Sequence, residues 1–172
     1  MIKGRVHKFG DNIDTDAIIP VHAVGYTDPA DLGRHCMENI DPDFINRVKA
    51  GDVIVGGSNF GCGSSREMAP WAIKGAGIAL VIASSFARIF FRNAINIGLP
   101  VMISPRASTG FEDGDLIEAD PASGSITNLT SGRKFKAAAF PKFIQELIAA
   151  GGLVEYTQRR LRGTQGPANR SG

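Results

Sequence analysis

"GDVIVGGSNFGCGSSREMAPWAIKGAGIALVIASSFARIFFRNAINIGLPVMIS", Gly51 to Ser104, decides the fold. Residues 52–56, "IALVIA" and "PVMIS" are apolar runs without alternation, as in strands covered on both faces. Between them lie a Gly-rich loop with a helix ending near Gly77, and a second helix from Ser85 to about Ile97. Ser84-Ser85 reads as the cap of that second helix. The order β-α-β-α-β predicts parallel strands joined by right-handed crossovers.

Upstream, residues 1–9 read as a strand, followed by the Asp-rich loop "GDNIDTDAIIP". Helical stretches are expected from Asp31 to Asn39 and from Asp41-Pro42 to about Lys49. Downstream, "DLIEAD", "SITNL" and "RKFKAA" are separated by Ser123-Gly124 and Thr130-Ser131-Gly132, which predicts an antiparallel meander. A last helix opens near Pro141, presents Ile144, Leu147 and Ile148 on one face and stops at Gly151-Gly152. The expectation is one α/β domain over residues 1–158, with a βαβαβ parallel core and a C-terminal antiparallel β portion.

Hydrophobic residues make up 43% and charged residues 21% of the 172, the balance of an ordinary globule. No stretch nears the roughly 20 apolar residues of a membrane helix. "MIKGRVHKFGDN" lacks the apolar core of a signal peptide, so a cytoplasmic location and no membrane partner are expected. The net charge of +2 hides an asymmetry: residues 159–172 carry four Arg and no acid, leaving 15 basic against 17 acidic residues, net −2. That basic end reads as a disordered tail. No basic, aromatic-rich surface accompanies it, so no nucleic-acid partner is expected.

Two Cys, Cys36 and Cys62, and three His, His7, His22 and His35, show no zinc-site spacing. No metal is therefore expected on this chain. Asn12, Asp14 and Asp16 have the alternate spacing that starts a calcium loop but do not complete one: the sixth and twelfth positions are Ala17 and Ala23, where Gly and Glu are needed. Turn and capping bonds are the expected use of these three residues.

The Gly-rich loop excludes two nucleotide motifs. No Lys occurs between Gly51 and Ile73, so there is no P-loop, and Arg66 stands where the dinucleotide fingerprint needs its third Gly. Two readings stay open. Ser64-Ser65-Arg66-Glu67 matches a capping box, although Pro70 would then interrupt the helix unless it begins nearer Pro70. Alternatively, glycine amides, two hydroxyls and the Arg66 fork cradle a carboxylate, and preorganised donors turn a serine into a base. That chemistry lacks a Lewis acid here, so the site would be shared with another chain.

Together "GDNIDTDAIIP", "GGSNFGCGSSRE" and "SSFARIFFRNAINIGLP" resemble the small subunits of isopropylmalate dehydratase, in the aconitase superfamily, in the same order over roughly residues 1–155. The resemblance implies a swivel-type β/β/α sandwich and a larger partner subunit holding a 4Fe-4S cluster through three Cys, with no cofactor on this chain. It implies that Ser64 is the catalytic base, that Ser65 and Arg66 bind a small dicarboxylate substrate, and that the chain alone is inactive. Met68 stands where these subunits usually carry His; packing is its expected role.

The family's specificity loop falls on His22, Ala23, Val24, Gly25 and Tyr26, without the usual Tyr-Leu pair. No Arg occurs between Arg5 and Arg34, so a malate with an apolar substituent suits this loop better than a tricarboxylate. Isopropylmalate is the first expectation, with methyl- or dimethylmalate, or a homoaconitate-type substrate, as alternatives. A different class, a non-enzymatic module binding an anion or partner through the same loop, also fits the motif. Arg88 and Arg92 read as solvated or structural, Cys62 as a small packed residue, and Trp71, Phe86, Phe90 and Phe91 as core or subunit interface.

Overall fold

A computed structural model of the chain describes residues 1–164. β1 (Ile2–Lys8), β2 (Val53–Val55), β3 (Leu80–Ala83) and β4 (Val101–Ile103) pair in parallel. β5 (Leu116–Asp120), β6 (Ser125–Asn128) and β7 (Lys134–Lys136) form the expected antiparallel meander. Both halves share β1, so one seven-stranded sheet runs β4-β3-β2-β1-β5-β6-β7. Residues Ile2 to Arg5 pair antiparallel with β5, and Val6 to Lys8 pair parallel with β2.

Successive residues of the parallel strands enter two different cores, which is why their sequences do not alternate. Val53, Val55, Leu80 and Ile82 pack against Ile117, Ala119 and Ile126 of the meander and against Phe111. Ile54, Val81, Ala83 and Val101 pack against residues from the helices. The two halves of the sheet thus share one core, and helices cover the other face of the parallel half. This is the β/β/α layering expected.

The helices follow α1 (Thr15–Ile18), α2 (Pro29–Gly33), α3 (Phe44–Arg47), α4 (Met68–Gly75), α5 (Arg88–Asn96), α6 (Pro105–Gly110), α7 (Lys142–Ala150) and α8 (Leu153–Thr164). α2 lies close against α4 through glycines. A Cβ on Gly33 would stand 2.3 Å from the Gly75 carbonyl carbon, and one on Gly75 would stand 1.8 Å from the Pro29 oxygen. α7 begins after Pro141 and ends at Gly151 with φ 98°, as its sequence signals require.

Several expectations need correction. The helix expected from Asp31 is α2, which starts earlier because Asp28 caps it, accepting from the Ala30 amide at 2.8 Å with Pro29 in the first turn. Turns, not helix, follow from Arg34 to Ile40. Ser64 caps nothing: α4 begins at Met68, so Pro70 falls in the first turn, where no backbone bond is lost. Ser85 does not cap α5 either, since that helix begins at Arg88; its hydroxyl accepts the Asn59 amide at 2.8 Å.

The boundary placed after residue 158 falls inside α8, and residues 159–164 are helical rather than a disordered tail. Glu155 in the first turn and Arg162 in the last suit the helix dipole, and Arg160 lies over the Tyr156 ring one turn back at 5.8 Å. The remaining expected tail, 165–172, lies outside the described residues. No described helix is long and apolar enough to cross a membrane.

Candidate active site

The Gly-rich loop carries the serines, and the Asp-rich loop holds it. The Asp-rich loop runs beside the Gly-rich loop: Gly57 donates to the Gly10 carbonyl at 2.9 Å, Asn12 to Ser58 at 2.8 Å, Gly61 to Ile13 at 2.7 Å and Thr15 to Cys62 at 2.9 Å. Side chains add to this. Asp11 accepts the Ser58 amide at 2.6 Å, and the Asn59 amide group donates to Asn12 Oδ1 at 3.2 Å. Asp14 caps α1, accepting from Ala17 at 2.7 Å. Asn12 and Asp14 therefore do the turn and capping work expected of them.

The bend needs its glycine. Gly61 has φ 81°, and a Cβ there would lie 2.2 Å from Phe90 Cγ. Phe90 is fixed in turn by Phe60, with ring centroids 5.4 Å apart, so the loop is seated on a buried aromatic pair.

From this seat Ser64 and Ser65 emerge exposed, and Arg66 is half-buried. Ser64 Oγ is 3.0 Å from Thr15 Oγ1, the first residue of α1, which is itself buried. Arg66 Nη1 lies 2.6 Å from Asp16 Oδ1. That nitrogen is buried yet has no aligned hydrogen-bond acceptor, so the contact is ionic and leaves donor capacity unused. The serines are exposed, and the Arg66 guanidinium that follows them is held by Asp16.

Sequence reasoning missed Thr15 and the part Asp16 plays. Both lie in "DTD", whose alternation by itself suggests only turn chemistry; the hydroxyl between two acids was the available signal. Cys62 is half-buried in the same loop, and Met68 packs against the main core as expected. Phe90 is core, and Trp71, Phe86 and Phe91 pack partly buried against it. Arg88 and Arg92 are exposed on α5, without an ion pair among the described residues.

One well-formed concavity lies elsewhere. A groove of about 350 Å³ between α4, α5 and the start of α8 is lined by Trp71, Asn93, Ile97 and Val154, among others, and contains neither serine. Ser64 and Ser65 stand on open surface instead.

The His22–Tyr26 loop divides. Val21–Ala23 forms a 3-10 turn whose Ala23 is wholly buried, whereas His22, Gly25 and Tyr26 are exposed and Val24 is half-buried. Tyr26 stacks on His35 at 5.4 Å and 7°. The loop follows α1 directly, so the same short helix supports the serine, the Arg66 partner and this segment.

Comparison with known proteins assigns the family. The Aconitase C-terminal domain matches residues 42–106. The 3-isopropylmalate dehydratase small subunit of Moorella thermoacetica is 57% identical over 162 residues, 94% of this chain and 98% of that one. The chain belongs to the dehydratase small-subunit family of the aconitase superfamily. It is thus a hydro-lyase component that works with a large subunit. The 2,3-dimethylmalate dehydratase small subunit of Eubacterium barkeri is 58% identical over 154 residues, covering 90% of this chain and 94% of its own. A crystal structure of 3-isopropylmalate dehydratase from Methanocaldococcus jannaschii superposes with a TM-score of 0.89 at 50% identity, covering 96% of this chain and 99% of that one.

Proposed function

We propose that this chain supplies the base and a carboxylate anchor to a two-chain enzyme that dehydrates and rehydrates an alkyl-substituted malate. Ser64 Oγ takes the proton from the carbon next to a substrate carboxylate, and its electron pair forms the double bond as hydroxide leaves the neighbouring carbon. Ser64 acts as its alkoxide, which becomes the hydroxyl on taking the proton, and Thr15, 3.0 Å away, can donate to that alkoxide. Arg66 and Ser65 hold a carboxylate. The observation that carries this reading is the pair of exposed hydroxyls on Ser64 and Ser65, with Thr15 Oγ1 3.0 Å from Ser64 Oγ and Arg66, next in sequence, held by Asp16.

The departing hydroxide needs a Lewis acid, and this chain's donors do not fit an iron–sulfur cluster. It has two Cys, and Cys36 is wholly buried, where desolvation pushes its thiol up and keeps it protonated. A 4Fe-4S cluster is therefore assigned to the large subunit, as the family resemblance implies. A cytoplasmic location accompanies this role.

Isopropylmalate is the substrate proposed first. Dimethylmalate is the second reading, favoured by the likeness to the Eubacterium barkeri subunit and by a His22–Tyr26 loop free of guanidinium. Co-expression with the large-subunit chain and assay on a panel of alkyl malates tests both. Turnover of at least one by the pair, and none by either chain alone, is expected; an assembled, cluster-loaded pair inert on the whole panel overturns the reading.

A further inference from the structure

The turns after α2 bring together residues that sequence spacing keeps apart. His22 Nε2 lies 3.7 Å from Glu38 Oε1, and His35 Nδ1 lies 2.5 Å from Glu38 Oε2. One ring nitrogen of each His and one carboxylate oxygen all fall within 4.8 Å of one another. The two rings meet edge to face, with centroids 5.3 Å apart. This cluster contains neither serine, and its three residues come together although the sequence shows no zinc-site spacing.

We propose that His22, His35 and Glu38 form a binding site for a borderline divalent cation, Zn²⁺ being the type, with further positions left to water. Two imidazoles and one carboxylate are the donor set such ions take in open, four-coordinate sites. With metal–ligand bonds of about 2.0–2.2 Å, tetrahedral ligand atoms stand roughly 3.3 Å apart. All three ligand atoms lie within 4.8 Å of one another, so they close on an ion by side-chain shifts of roughly one to two ångströms.

The scaffold behind them is firm. Met37, between His35 and Glu38, is wholly buried, and its amide bonds to the Ile18 carbonyl at 2.9 Å. Asn39 donates to the Asp16 carbonyl at 2.8 Å, and Tyr26 covers one face of the His35 ring. His22 and Glu38 remain exposed enough for an ion to enter, with side chains 60% and 40% accessible. In the free chain Glu38 Oε2 already faces His35 Nδ1, the nitrogen the ion would take. The bound ion would tie the His22–Tyr26 loop to the turn that braces α1. This inference does not rest on the dehydratase reading, and its test needs no large subunit.

The full-length chain, without a histidine tag and freed of metal by a chelator, is titrated calorimetrically with ZnCl₂. One equivalent is expected to bind at micromolar concentration. His22→Ala and Glu38→Gln should each weaken binding by at least about tenfold, and His35→Ala likewise, while circular dichroism stays unchanged. Cys62→Ser should bind as the parent does. Co²⁺ in place of Zn²⁺ should give the visible absorption of nitrogen and oxygen ligation. Binding only at millimolar concentration, binding unchanged by His22→Ala and Glu38→Gln, or binding lost with Cys62→Ser would each overturn the site.

Discussion

The Gly-rich loop from Gly56 to Arg66 and the loop from His22 to Tyr26 both lean on α1, yet they are held by different forces. The first is clamped by main-chain bonds to the Asp-rich loop and by a backbone that reaches Phe90 where no Cβ fits. The second is held by ring stacking, a carboxylate and one buried Ala23, contacts that single substitutions can alter. A reacting atom must be placed to a fraction of an ångström, which backbone bonds provide. A loop that sorts substrates gains from contacts that can change without moving the base.

The contrast can be broken at several points. Ser64→Ala should lower turnover of the assembled pair by at least about a hundredfold, leaving assembly intact; steady-state kinetics on the purified complex check this. Arg66→Lys loses the planar fork and should raise KM about tenfold or more while turnover falls less, read from substrate-saturation curves.

Gly61→Ala and Gly25→Ala compare the loops directly. The first meets Phe90 at 2.2 Å with φ 81° and should cost about 1–3 kcal/mol. A Cβ on Gly25 meets nothing within 4 Å, so its effect should stay within about 0.5 kcal/mol. Denaturant midpoints of the isolated chain distinguish them; equal effects would remove the claimed difference in rigidity.

A smaller effect comes from the residue just before β2. Asp52 and His7 are buried and bonded at 2.8 Å, and Asp52 also accepts the Arg5 and Lys49 amides. Burial acts to raise the Asp52 carboxyl, but the His7 bond and the two amides outweigh it and hold the value below the ordinary 3.8. With the folded value depressed, the stability this group contributes is complete above that ordinary value and is lost as pH falls through the folded one. Thermal midpoints measured from pH 6 to pH 3 should therefore fall less steeply in Asp52→Asn than in the parent. The smallest change is expected from Tyr26→Leu, which should shift preference among alkyl malates by a few fold without affecting the Ser64 step.

The sheet is legible in the sequence because its strands are apolar on both faces and its meander is cut by turn residues. Helix starts are harder. Ser64 and Ser85 look like caps by residue type, but Pro70 and the pairing of Ser85 with the Asn59 amide decide otherwise. α8 is hidden because its support, Arg160 on Tyr156 and charges matched to the helix dipole, lies in side chains that also suit a solvated tail. Ser64, Ser65 and Arg66 can be named from their motif. Thr15 and Asp16 cannot, because their partners lie about 50 residues away and only the fold brings them together.

The proposed chemistry turns on whether the Ser64 oxygen is the atom that accepts carbon-bound hydrogen. The direct measurement is deuterium uptake from D₂O into recovered substrate, comparing the assembled pair with its Ser64→Ala counterpart at matched substrate occupancy. A Ser64 base predicts uptake at the carbon next to the carboxylate by the parent pair and almost none by the variant. Uptake at the same rate in both would place the base elsewhere.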